Sequence, residues 1–95
     1  MTPLRIEARD DGTERRVGVF GEIDLLTVAK FRSALVGSQR QLVVDMRECG
    51  FMDLAGLRCL EEARENSPLT LIPSPPVLRL LELTATRHLF HIEKV

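Results

Sequence analysis

The feature that most constrains this chain is a hydrophobic periodicity that switches repeatedly between two residues and about 3.6 residues. Residues 4–9 alternate apolar and polar, as a half-buried strand does. Asp10-Asp11-Gly12-Thr13 follows, and Asp-Gly between extended runs predicts a hairpin turn. Residues 15–20 resume a strand with Val17 and Val19 on one face, closed by Gly21. Asp24 reads as the N-cap of a helix over residues 25–36, with Leu25, Val28, Phe31, Arg32 and Leu35 at helical spacing and Gly37 as its end. The nearly continuous apolar run 41–46 suits a central strand covered on both faces. Residues 47–52 read as a loop containing Gly50. Asp53 then caps a second helix with Leu57, Leu60 and Ala63 inward, broken at Asn66-Ser67-Pro68. Residues 69–72 form another strand. Ser74-Pro75-Pro76 opens a third helix with Val77, Leu80, Leu81 and Thr84 as its stripe. Residues 89–95 are a last extended segment, with Phe90 and Ile92 on one face. The order β-β-α-β-α-β-α-β predicts an α/β fold: a mixed, partly parallel sheet with helices packed on it through right-handed crossovers.

Length and composition narrow the function. Ninety-five residues make one domain, 1–95, without linker or repeat. The 13 Lys and Arg against 14 Asp and Glu leave a net charge of −1, so the strong positive field of a non-specific nucleic-acid binder is missing. Trp and Tyr are absent and Phe numbers only 4, too few for a base-stacking platform. The apolar runs are far shorter than a membrane span, and the chain opens without a signal-like segment, so membrane insertion is not expected and the expected location is cytoplasmic.

Catalytic and metal chemistry finds little support. Cys49, Cys59, His88 and His91 match no zinc spacing. There is no nucleophile elbow, no P-loop and no dinucleotide-binding glycine turn. An NTP-binding module remains sterically open at the strand-to-helix loops, though no basic clamp supports it. No cofactor and no metal are expected, and the chain reads as a binding or regulatory module rather than an enzyme. Two cysteines in a reducing compartment are expected to be free thiols.

The most informative segments are residues 20–25 and 43–57. Both run from the carboxyl end of a strand into a helix start, where open α/β sheets place their ligands. Capping accounts for Asp24 and Asp53. It does not account for Gly56, which sits in the first turn of a helix at a cost of about 1 kcal/mol against Ala.

In these segments the chain resembles the STAS domain family, and within it the small bacterial anti-sigma-factor antagonists. Gly21-Glu22-Ile23-Asp24-Leu25 is similar to the family's Gly-Glu-Leu-Asp string. Residues 42–46 resemble its central strand, and Phe51-Met52-Asp53-Leu54-Ala55-Gly56-Leu57 resembles its Phe-hydrophobic-Asp-Ser-Ser-Gly-Leu segment. The resemblance spans essentially the whole chain. It implies a signalling protein of transcription regulation that works by protein–protein interaction. Such a protein binds a kinase-like anti-sigma factor, frees the sigma factor, and is released when the kinase phosphorylates the Ser after the motif Asp. Here that position is Leu54 and the next is Ala55, so the phosphoacceptor is missing. The implied outcomes are a permanently active antagonist, a STAS module regulated by thiols or supply, or a STAS subunit of another assembly such as a bacterial lipid-transport ABC system. Residues 21–25, 47–52 and the first turns of the second helix are the expected partner surface: Glu22, Asp24, Asp53, Leu54, Ala55, Gly56 and Arg58. Leu54 and Arg58 are expected to be touched most directly, while Asp24 and Asp53 hold the loops.

Overall fold

The alternating periods fold as two layers. The computed structural model describes residues 3–37 and 39–93. Strands β1 (Arg5–Asp10) and β2 (Arg15–Ile23) form an antiparallel hairpin. Its turn is built on Asp11, whose Oδ1 accepts from the Thr13 and Glu14 amides at 2.9 and 2.8 Å and from the Thr13 hydroxyl at 2.7 Å. Those donors favour the charged carboxylate and lower its pKa to about 2, the Glu14 amide contributing most. Helix α1 (Val28–Leu35), strand β3 (Leu42–Met52), helix α2 (Leu54–Asn66), strand β4 (Leu69–Pro73) and helix α3 (Pro75–Leu83) follow. A single 3₁₀ turn, Arg87–Leu89, leads into β5 (His91–Ile92).

The sheet order is β1-β2-β3-β4-β5, with β2 to β5 mutually parallel. Right-handed crossovers between successive neighbours place every helix on the same face. The core shows this: Val17, Val19 and Ile23 of β2 and Leu42, Val44 and Met46 of β3 join one cluster with Phe31 of α1, Leu60 of α2 and Leu81 of α3. At the sheet end nearer the strand termini, Ser74 accepts from the Val77 amide at 3.3 Å and donates to the Cys49 carbonyl at 2.6 Å, which seats α3 against β3. Among the described residues no helix covers the other face of the sheet. Strand β3 is central; helices pack on one of its faces only, yet Leu42, Val43 and Val44 are all buried, so both faces of this stretch are covered. On the open side Val43 and Ile72 are buried outside the main cluster, beside the half-buried Asp45. The Asp45 carboxylate is held below its usual pKa chiefly by the Arg47 guanidinium, which donates to both of its oxygens.

Several boundaries differ from the sequence expectation. Strand β2 does not close at Gly21 but runs through it to Ile23. Gly21 lies where the chain start crosses β2: a Cβ there would stand 2.6 Å from the Pro3 carbonyl oxygen. The first helix begins at Val28 rather than at residue 25, so Leu25 lies outside it and is 79% exposed. Residues 47–52 are strand, not loop. They extend β3 alongside β2 with two register shifts, at Gly18/Phe20 and at Gly21/Glu22. Of the last extended segment only His91–Ile92 pairs, with Thr70 and Leu71; Lys94 and Val95 lie outside the described residues.

Candidate functional site

The β3 extension brings the two singled-out segments side by side. Glu22 registers with Phe51 and Ile23 with Met52, and the Asp53 amide donates to the Ile23 carbonyl at 3.2 Å. The turn after β2 and the start of α2 therefore lie at one end of the sheet.

Asp53 caps α2 as expected. Its Oδ1 accepts from the Ala55 amide at 3.0 Å and the Gly56 amide at 3.2 Å. Asp24 uses the same chemistry for a different purpose. Its Oδ1 accepts from the Leu26 and Thr27 amides at 2.9 and 3.2 Å, closing a turn over residues 24–27. The helix N-cap is Thr27, whose side chain makes no capping bond. Asp24 thus anchors a turn that runs directly into α1, its carbonyl accepting from the Val28 amide at 2.9 Å, while the regular helix itself starts only at Val28. Thr27 locks that turn: its hydroxyl accepts from the Asp24 amide at 2.9 Å and donates to the Glu22 carbonyl at 3.1 Å.

The expected surface residues separate by exposure. Leu54 is the first residue of α2 and is 58% exposed. Arg58, one turn on, is exposed, whereas Glu22, Asp24, Asp53 and Ala55 are half-buried. Gly56 is buried and does not belong to a contact surface. A Cβ there would lie 2.5 Å from Met52 Cγ, 2.9 Å from Met52 Sδ and 3.0 Å from Ile23 Cγ2. The close approach it permits is between α2 and the chain's own β2–β3 pair. Leu25, Leu26 and Phe51 are exposed at the same end; Leu25 and Phe51 fall in the segments 21–25 and 47–52 expected to form the surface, and only Leu26 lies outside them. Leu26 was read as part of a helix over residues 25–36, whereas it lies in the turn before α1.

Residues 51–57 contain no hydroxyl. Cys49 and Cys59 are free and buried, and burial pushes both thiols up, away from the reactive thiolate. Among the described residues, no three His, Cys, Asp or Glu side chains gather in a way that could hold a metal ion. No described helix is long and apolar enough to cross a membrane.

No family model and no curated protein sequence matches the chain. Solved structures do. An anti-sigma factor antagonist from Mycobacterium paratuberculosis is 23% identical with a TM-score of 0.80, over 95% of this chain and 85% of that one. The anti-sigma factor antagonist SpoIIAA in its unphosphorylated form is 21% identical with a TM-score of 0.68, over 98% and 88% of the two chains. An antisigma-factor antagonist STAS domain from Rhodobacter sphaeroides is 22% identical with a TM-score of 0.54, over 73% and 83%. The sheet order, the helix order and these superpositions agree: the chain has the fold of the STAS anti-sigma factor antagonists.

Proposed function

We propose that residues 1–95 form one non-catalytic STAS domain that acts in the bacterial cytoplasm as an anti-sigma-factor antagonist. Its partner is a kinase-like anti-sigma factor, and it binds without being a substrate for phosphorylation at the usual position. The observation that carries this reading is Leu54. It stands exposed at the first position of α2, where the antagonists it resembles carry their acceptor Ser, and it has no oxygen to accept phosphate. The partner surface consists of Leu54 and Arg58, with Glu22, Asp24, Asp53 and Ala55 beside them. Gly56 supports this surface from below.

The test uses a purified kinase-like anti-sigma factor from the source cell, with ATP. The wild-type chain is expected to bind and to carry no phosphate on residues 51–57 by mass analysis. Arg58→Glu and Leu54→Glu are expected to weaken binding. An acidic residue in the first helical turn is neutral or stabilising by about 0.3–1 kcal/mol, so Leu54→Glu should retain the melting temperature. In the interface the same carboxylate would lose water without a partner. Binding that is indifferent to both variants overturns the surface. Wild-type chain that binds no such factor overturns the partner.

A further inference from the structure

Strand β1 is an open edge of the sheet, and we propose that it pairs with β1 of a second copy of this chain. Proteins usually blunt such edges with short strands, charged side chains, Pro, bulges or a covering element, and of these β1 carries only charge, of both signs, at Arg5, Glu7, Arg9 and Asp10. Here β1 is six residues long and pairs with β2 from Arg5 to Asp10 without a register shift or proline. The Asp11 amide donates to the Glu14 carbonyl across the hairpin, which sets the phase of the ladder. By alternation, Arg5, Glu7 and Arg9 turn their amides and carbonyls toward β2, while Ile6, Ala8 and Asp10 turn theirs outward. The Leu4 carbonyl, next in the outward series, is already taken by Lys30 Nζ at 2.9 Å. The free main-chain groups of the edge are therefore centred on Ala8.

The side chains select the same centre. An antiparallel pair with its twofold axis at Ala8 sets Ile6 opposite Asp10 of the second copy and satisfies all three outward residues in each chain. It also sets Glu7 opposite Arg9 twice, and Arg5 opposite Asp11 twice. Arg9 has no ion-pair partner within its own chain among the described residues. A centre at Glu7 would oppose Glu7 to itself and Arg5 to Arg9. A centre at Arg9 would oppose Arg9 to itself and Glu7 to Asp11. A centre at Ile6 requires the Leu4 carbonyl that Lys30 holds. A centre at Asp10 would oppose Asp10 to itself, so the Ala8 register alone meets both the hydrogen-bonding and the charge conditions. It joins two sheets into one continuous sheet and uses none of the residues assigned to the partner surface.

Sedimentation of the full chain over a micromolar to millimolar dilution series tests this. The expected result is a reversible monomer–dimer equilibrium. Glu7→Arg and Arg9→Glu each place like charges opposite one another twice and should weaken the dimer about tenfold, and the double variant Glu7→Arg/Arg9→Glu should restore it. Ala8→Pro removes an outward amide but none of the β1–β2 ladder and should leave a monomer. Thermal melts confirm that each variant is folded, and the charge variants decide the outcome if Ala8→Pro is not. A chain that stays monomeric at millimolar concentration, or a dimer that the charge swaps leave unchanged, overturns the proposal.

Discussion

Gly56 shows what a single residue's environment adds to its identity. In the sequence it is an anomaly, a helix-weakening residue in a first turn. In the structure its missing Cβ is the space occupied by Met52, with Ile23 beside it. Gly56→Ala gains about 1 kcal/mol of helix propensity. It also forces the buried Met52 side chain aside, and overpacking of this kind costs about 1–3 kcal/mol. Ile23 is fully buried and leaves little room for relief. Overpacking should win by about 1 kcal/mol, lowering the melting temperature by about 4–8 °C in a domain of this size. A melting temperature equal to or above wild type would show that Met52 repacks freely. The anomaly was legible in the sequence, but its cause was not, because the contact is made by residues on two different strands. Leu54 is the converse case. Its position at the first turn of α2 follows from Asp53, whereas its exposure depends on how α2 is tilted on the sheet.

Elements with an unbroken period were the ones legible in the sequence. Strand β1, the inward side of α2 and the Ser-Pro-Pro start of α3 all follow from local pattern. The latter half of β3 did not, for a physical reason. Its buried positions fall at Met46, Cys49 and Met52, a spacing of three, because β3 carries extra residues where its register slips against β2. A strand with that spacing looks like a loop, and Gly50 reinforces the impression. The start of α1 was misplaced because an Asp that closes a turn and an Asp that caps a helix look alike in sequence. This difference is measurable. Asp24→Ala should lower stability by about 1 kcal/mol, the usual scale for losing an Asp that accepts backbone amides. Far-UV circular dichroism should show unchanged helix content, since α1 starts after the turn at Val28. Loss of helical signal would return Asp24 to the role of a helix cap.

At the scale of the whole molecule, the helices gather on one face, and the hairpin and the open face are held by charge. Strand and helix order were legible in the sequence. The one-sided layering was not, since a buried apolar run such as residues 42–44 looks the same whether a helix or neighbouring side chains cover it. The charge dependence leads to an acid response. Asp11 titrates at about 2 in the folded chain against an ordinary value of 3.8, and Asp45 is also lowered, first by the Arg47 hydrogen bonds. A carboxylate with a depressed folded pKa contributes stability that is fully present above its unfolded pKa and is lost as pH falls through the folded one. The melting temperature should therefore hold until about pH 4 on account of these two groups, then fall toward about pH 2 as protons bind the unfolded chain first. Asp11→Ala removes one source of that dependence. It should melt lower than wild type at neutral pH, because the turn loses its acceptor, and the two curves should converge as the pH approaches about 2. Asp11 is fully exposed, so the gap at neutral pH should be modest and should persist at high salt, since the local hydrogen bonds to Thr13 and Glu14 rather than a distant charge create it. Parallel curves from neutral to acid pH would show that Asp11 titrates at its ordinary value and that its three hydrogen bonds do not favour the ionised form.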